Sequence, residues 1–242
     1  MLRHIVKWVQ YAQGIGAARR RNVDQAVLKR LKPSPKTLMI FDVGANRGQY
    51  LQLALKQNAL IHAFEPSSAA FTELAKRFAS NSNVVLNNLA LGSQPGTQTL
   101  YYDVPGSELS SLYPRHVAHH GHSLTHKEPV EVDTLDNYCV MKGIEHIDLL
   151  KLDVEGHELE VLKGAQQLFA SGRVATVSFE FGGCNIDSRT YLRDFFEFFS
   201  ARHMQLARVS TFGHLQPIAN YDESLEQFRT TCYFATVDVN SS

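Results

Sequence analysis

Three acidic residues stand at the ends of apolar runs, where a ligand would meet them. Asp42 closes Leu38-Met39-Ile40-Phe41 and leads into Gly44-Ala45-Asn46-Arg47-Gly48. Glu65, followed by Pro66, closes Ile61-His62-Ala63-Phe64, and Asp153 closes the run from Ile147 to Leu152. Glycines at a strand-to-helix turn let the backbone approach a ligand, and a helix start offers unpaired N–H groups. The spacing is Gly-x-x-x-Gly, which departs from the Gly-x-Gly-x-x-Gly of dinucleotide sites, and no Lys-Ser/Thr follows to hold a triphosphate. An Asp beside such a loop suits a cationic group better than a pyrophosphate. Glu65, roughly twenty residues on at the next strand end, suits a ribose diol. A nucleoside carrying a positively charged amino-acid tail satisfies both ends, and S-adenosylmethionine is that molecule.

These residues need strands and helices to hold them. The pattern predicts a strand at 37–42, a helix to about 57, a strand at 59–64, a helix carrying Phe71, Leu74, Ala75 and Phe78, and a strand at 84–86. That is the β-α-β-α-β half of a doubly wound sheet. Alternating strands follow near 97–102 and 130–132, separated by a polar loop over about 105–128 that reads as a lid. The α/β rhythm then resumes with strands at 147–152 and 174–179 and helices carrying Leu159, Leu162 and Phe169, then Phe195, Phe196 and Phe199. Between the strands at 205–209 and 228–237 there is no good crossover helix, so the last strand is expected to run antiparallel. Residues 1–35 read as an N-terminal helical segment ending at Pro33 and Pro35, with a basic cluster at Arg19, Arg20 and Arg21, ahead of one domain over 36–242.

The blocks Phe41-Asp-Val-Gly-Ala-Asn-Arg-Gly48, Phe64-Glu-Pro66 and Leu150-Lys-Leu-Asp-Val-Glu-Gly-His-Glu-Leu-Glu-Val-Leu-Lys-Gly-Ala165 resemble the FkbM family of S-adenosylmethionine-dependent methyltransferases. Ser110-Ser111-Leu112 is similar to a Ser-rich element of that family. The resemblance implies a Rossmann-like class I fold, with a mostly parallel seven-stranded sheet, an antiparallel last strand and helices on both faces. It also implies O-methylation of a hydroxyl on a sugar, glycan or polyketide-type small molecule. On that footing Asp42, Gly44, Asn46 and Gly48 hold the methionine end, Glu65 and Pro66 the ribose, and Asn88 and Ala90 the adenine. Asp153 faces the methyl group and the acceptor. His157 or Glu155 takes the acceptor's proton, with His157 the better-tuned base near neutrality. Glu180, at the next strand end, either binds acceptor hydroxyls or joins Asp153 in holding Mg²⁺. Ser110, Ser111 and Tyr113 are substrate candidates, and Glu158 and Glu160 are expected on the exposed helix face. His116, His119, His120, His122 and His126 read as a polar lid rather than a metal site.

Composition sets the remaining bounds. The chain has 242 residues, 44% hydrophobic and 20% charged, with a formal net charge of zero. No global field draws it to nucleic acid. Three unpatterned cysteines and no long apolar run suggest a reduced, cytoplasmic protein without a transmembrane segment. The basic first helix could pack against a second subunit as a homodimer. A non-catalytic cofactor-binding or scaffold domain is the alternative reading, and a nicotinamide-dependent oxidoreductase is disfavoured by the missing Gly-x-Gly.

Overall fold

Strands buried on both faces need apolar residues at consecutive positions, and the central strands supply them. The computed structural model describes residues 8–16, 21–31 and 36–237. Its central strands are β1 (Leu38–Val43), β2 (Ala59–Phe64), β3 (Val84–Asn87), β7 (Ile147–Leu152) and β8 (Val174–Phe181). In β1, Ile40 faces one core while Phe41 and Val43 face the other, and Leu149 and Leu150 divide in the same way in β7. Phe179 is stacked between Phe195 and Tyr233, with ring centroids at 4.7 and 5.5 Å. Aromatic burial of this kind contributes on the order of 3 kcal/mol per ring.

The sheet order is β10-β9-β11-β8-β7-β1-β2-β3, where β9 is Gln205–Val209, β10 is Leu215–Ile218 and β11 is Thr231–Thr236. The pairs β2–β3, β1–β2, β1–β7 and β7–β8 are parallel, and β11 runs antiparallel to both β8 and β9, as expected. One strand more than expected is present. Leu215–Ile218 turns back on β9 across the Ser210–His214 turn, so Pro217 sits in an edge strand, where its missing N–H is harmless. A small second sheet, β4-β6-β5, joins β4 (Ala90–Leu91), β5 (Gly96–Tyr102) and β6 (His126–Asp133) and carries the loop between β5 and β6.

The helix Arg21–Leu28 packs Val23, Val27 and Leu28 into the same core as Ile40, Leu149 and Phe234. Its described part is therefore built onto the sheet. Pro33, Pro35 and the basic cluster's Arg19 and Arg20 lie outside the described residues. Among the described residues no helix is long and apolar enough to cross a membrane.

Candidate functional site

The loop after β1 is shaped by backbone that ordinary side chains avoid. Gly44 has φ +83°, and a Cβ there would lie 1.9 Å from the carbonyl oxygen of Asp153. The glycine therefore lets the β1 and β7 tips touch. Gly44→Ala is expected to destabilise by at least about 3 kcal/mol, read as a lower midpoint in urea. At Gly48 a Cβ would strike Phe78 at 2.4 Å and Leu74 at 2.8 Å, so the glycine admits the helix Ser68–Phe78. Asn46, itself at φ 45°, donates its backbone N–H to Glu65 Oε2 at 2.8 Å. Ser67 donates its N–H to Glu65 Oε1, also at 2.8 Å. Each oxygen thus keeps a lone pair while the carboxylate cannot swing away. Burial pushes Glu65 up to about 7, against the pull of those two N–H groups. Asn88 donates to the carbonyls of Glu65 and Pro66 at 2.8 and 3.0 Å. It pins the strand ends together, whereas Leu89 and Ala90 reach the cavity.

Asp42 does not line the cavity described below. It is fully buried, and Lys151 Nζ lies 2.9 Å from its Oδ1 and 3.5 Å from Asp153 Oδ2. Asp42 and Lys151 are register partners on β1 and β7. The two carboxylates hold the Lys151 ammonium protonated, well above its ordinary range, despite its burial. Burial pushes the Asp42 carboxyl upward and Lys151 opposes it; at this separation the pair is ionic. Lys151 also bears on the metal expectation, because its ammonium sits against Asp153. Among the described residues no group of three His, Cys, Asp or Glu could hold an ion. The exposed histidines of the β5–β6 loop pair elsewhere: His122 lies 2.8 Å from Asp103, and His126 stacks on Tyr102.

The turn after Asp153 is held from inside. Glu158, expected on the surface, is fully buried and accepts N–H bonds from Val154 and Gly156 at 3.0 and 3.1 Å. Burial pushes it up to about 7. Glu160 is only partly buried, bonded to Ser93 and Lys163. Glu155 sits at φ 51°, and its carboxylate is taken by Arg115, so it is not a free proton acceptor. His157 borders the same cavity as Glu155 and is also engaged by the loop. Its Nδ1 lies 3.1 Å from the Tyr113 hydroxyl, and its Nε2 is buried with no hydrogen-bond partner among the described residues, turned toward Gly92. Burial drops it to about 4, which leaves a neutral, weakly basic ring.

The β5–β6 loop spans the two rims of the site. On one side the Asn46 amide points at the carbonyls of Gly106 and Ser107, at 3.5 and 3.4 Å, and Gln49 donates to Glu108 at 3.1 Å. On the other side the Ser111 hydroxyl donates to the Glu155 carbonyl at 2.8 Å, beside the Arg115–Glu155 pair. Beneath it lies a cavity of about 300 Å³. Gly44, Asn46, Glu65, Ala90 and Asp153 line it, together with Ser110, Ser111 and Glu180. Tyr113 is placed through His157 instead. Asp24, from the helix Arg21–Leu28, also lines the cavity and was not anticipated from the sequence.

The model of the Methyltransferase FkbM domain matches residues 42–206. The chain belongs to the FkbM methyltransferase family. Among its relatives, Methyltransferase sdnD of Sordaria araneosa is 35% identical over 162 residues, covering 55% of this chain and 62% of that protein. The 2-O-methyltransferase NoeI of Sinorhizobium fredii is 26% identical over 156 residues, covering 59% of this chain and 62% of its own. The match thus spans less than two thirds of either relative. Among solved structures, an rRNA methylase from Streptococcus thermophilus reaches a TM-score of 0.48 at 10% identity, covering 91% of this chain and 98% of that one. At that distance the likeness says nothing about chemistry. Both Asp24 and Cys232 lie outside the FkbM match.

Proposed function

We propose that this chain transfers a methyl group from S-adenosylmethionine to a hydroxyl of a sugar, glycan or polyketide-type small molecule. The observation that carries the reading is Glu65, whose two oxygens are each held by a backbone N–H at 2.8 Å while the carboxylate lines the cavity. A carboxylate fixed in this way accepts two hydroxyl hydrogens side by side, the demand of a ribose diol. The residues present fit the nucleoside: Glu65 and Pro66 for the ribose, Leu89 and Ala90 for an apolar base face, and the Gly44 turn for the amino-acid tail. When bound, S-adenosylmethionine supplies a methyl group on a positively charged sulfur.

The protein's part is alignment and proton removal. Asp153, at the tip of β7, and Glu180, near the end of β8, line the cavity across β1 from Glu65, which supports a role for both toward acceptor hydroxyls. Ser110 and Ser111, from the β5–β6 loop, line the same cavity. Asp42 acts indirectly, holding Lys151, which in turn sets Asp153. A hydroxyl acceptor is favoured by the likeness to NoeI, a 2-O-methyltransferase. No step here calls for Mg²⁺.

The test is transfer of labelled methyl from S-adenosylmethionine to a panel of methyl glycosides, polyols and hydroxylated polyketides. Label in a hydrolysis-resistant methyl ether is expected, and label confined to amines, or none at all, contradicts the reading. The β5–β6 loop acts as the lid in this account, and Arg115 latches it. Arg115→Ala is expected to speed proteinase K cleavage within 105–128 and to raise the acceptor KM about tenfold, a loss of roughly 1.4 kcal/mol. S-adenosylhomocysteine affinity should stay within about twofold.

A further inference from the structure

The acceptor end of the cavity contains a carboxylate that lies outside the family match. Asp24 projects from the helix Arg21–Leu28 into the wall shared with Tyr50, Lys151, Asp153, Glu180 and Cys232. The strand order fixes which end this is. Cys232 and Glu180 ride on β11 and β8 and Asp153 follows β7, whereas Glu65 follows β2 on the far side of β1. Asp24 feels Lys151, Asp153 and Asp42, and Tyr50 and Cys232 feel Asp24 in turn. The Tyr50 hydroxyl is buried with no hydrogen-bond partner among the described residues. An unmatched donor beside a carboxylate is the pair of groups that a hydroxyl needs: one to accept its hydrogen and one to donate to its oxygen.

We infer that Asp24 takes the proton from the acceptor hydroxyl, and that the N-terminal helix thereby completes the catalytic site. The inference rests on the methyl-transfer reading. The hydroxyl's proton passes to an Asp24 oxygen as the acceptor oxygen forms its bond to the methyl carbon. The electron pair of the broken carbon–sulfur bond stays on sulfur and cancels its charge, and Asp24 later releases the proton to water. Burial pushes the Asp24 carboxyl up to about 6, with Asp153 and Asp42 adding to the rise and Lys151 opposing it. A base so poised is ionised at neutral pH and still holds a proton well enough to take one.

Asp24→Asn separates the possibilities, using the full chain and the best hydroxylated acceptor from the panel above. Turnover is expected to fall about 100-fold or more, and the acidic limb near pH 6 of the acceptor's kcat/KM, measured at saturating S-adenosylmethionine so that Glu65 does not contribute, to disappear. S-adenosylhomocysteine affinity by calorimetry is expected to stay within about twofold. A second readout needs no acceptor. A carboxyl raised from 3.8 to about 6 by folding loses stability as it ionises, beginning above the lower value and complete above the higher. Asp24→Asn should therefore raise Tm by roughly 6–12 °C at pH 8 and leave it nearly unchanged at pH 4. A lower Tm at pH 8 would make Asp24 a structural partner of Lys151 and overturn the inference. A cofactor affinity reduced tenfold, with turnover restored at saturating S-adenosylmethionine, would make it a cofactor ligand and overturn it equally. Unchanged turnover in an active protein removes Asp24 alone, whereas a wild type inactive on every acceptor removes the methyl-transfer reading itself.

Discussion

Glu65→Ala is expected to weaken S-adenosylhomocysteine binding by about 100-fold or more, because it removes two charge-assisted hydrogen bonds of roughly 1.5–3 kcal/mol each. Glu65→Gln should not rescue it. Both carboxylate oxygens already accept a backbone N–H, from Asn46 and Ser67, so a Gln amide would turn its NH₂ against one of them. The effect has a pH signature whose sign follows from the site. Burial sets the Glu65 carboxyl at about 7, and the ribose hydroxyls bind the ionised form. Affinity should rise through pH 7, level off above it, and fall about tenfold for each unit below. Calorimetry at pH 6, 7 and 8 reads this directly, and a flat profile would place the ribose elsewhere.

Lys151→Met is expected to destabilise the fold by about 3–5 kcal/mol, the range seen when one partner of a buried ion pair is removed. Asp42 is fully buried, with Lys151 Nζ at 2.9 Å as its ion-pair partner, so the variant strands a charge beneath the site. The double variant Asp42→Asn, Lys151→Met should recover most of the loss, since the penalty belongs to the orphaned carboxylate rather than to the missing contact. Urea unfolding of the single and double variants measures this coupling. A double variant no more stable than Lys151→Met would show that Lys151 acts mainly through Asp153, 3.5 Å away.

The sheet was largely legible because its signal is local. The mainly apolar stretches Leu38–Phe41, Ile61–Phe64 and Ile147–Leu152, each ending at an acid or glycine turn, read as buried strands, and a missing crossover helix pointed to an antiparallel last strand. What escaped depends on pairing between strands. No role for Lys151 is legible in the sequence, and only the register opposite Asp42 shows it to be that residue's counter-ion. Glu158 looked like surface because helix starts usually are; it turns back instead to cap the N–H groups of its own loop. His157 and Glu155 are near Asp153 in sequence, yet lid residues Tyr113 and Arg115 claim them. Asp24 left a trace: it shares a helix face with buried Leu28, four residues on, and an acid on an apolar stripe signals a hidden polar partner.

A crystal structure with S-adenosylhomocysteine bound would test the division of the cavity most directly. Both ribose hydroxyls should lie within hydrogen-bond distance of Glu65, and the sulfur should face the space between Asp153 and Asp24. A nucleoside seated instead over β8 and β11, with Glu65 bare, would contradict it.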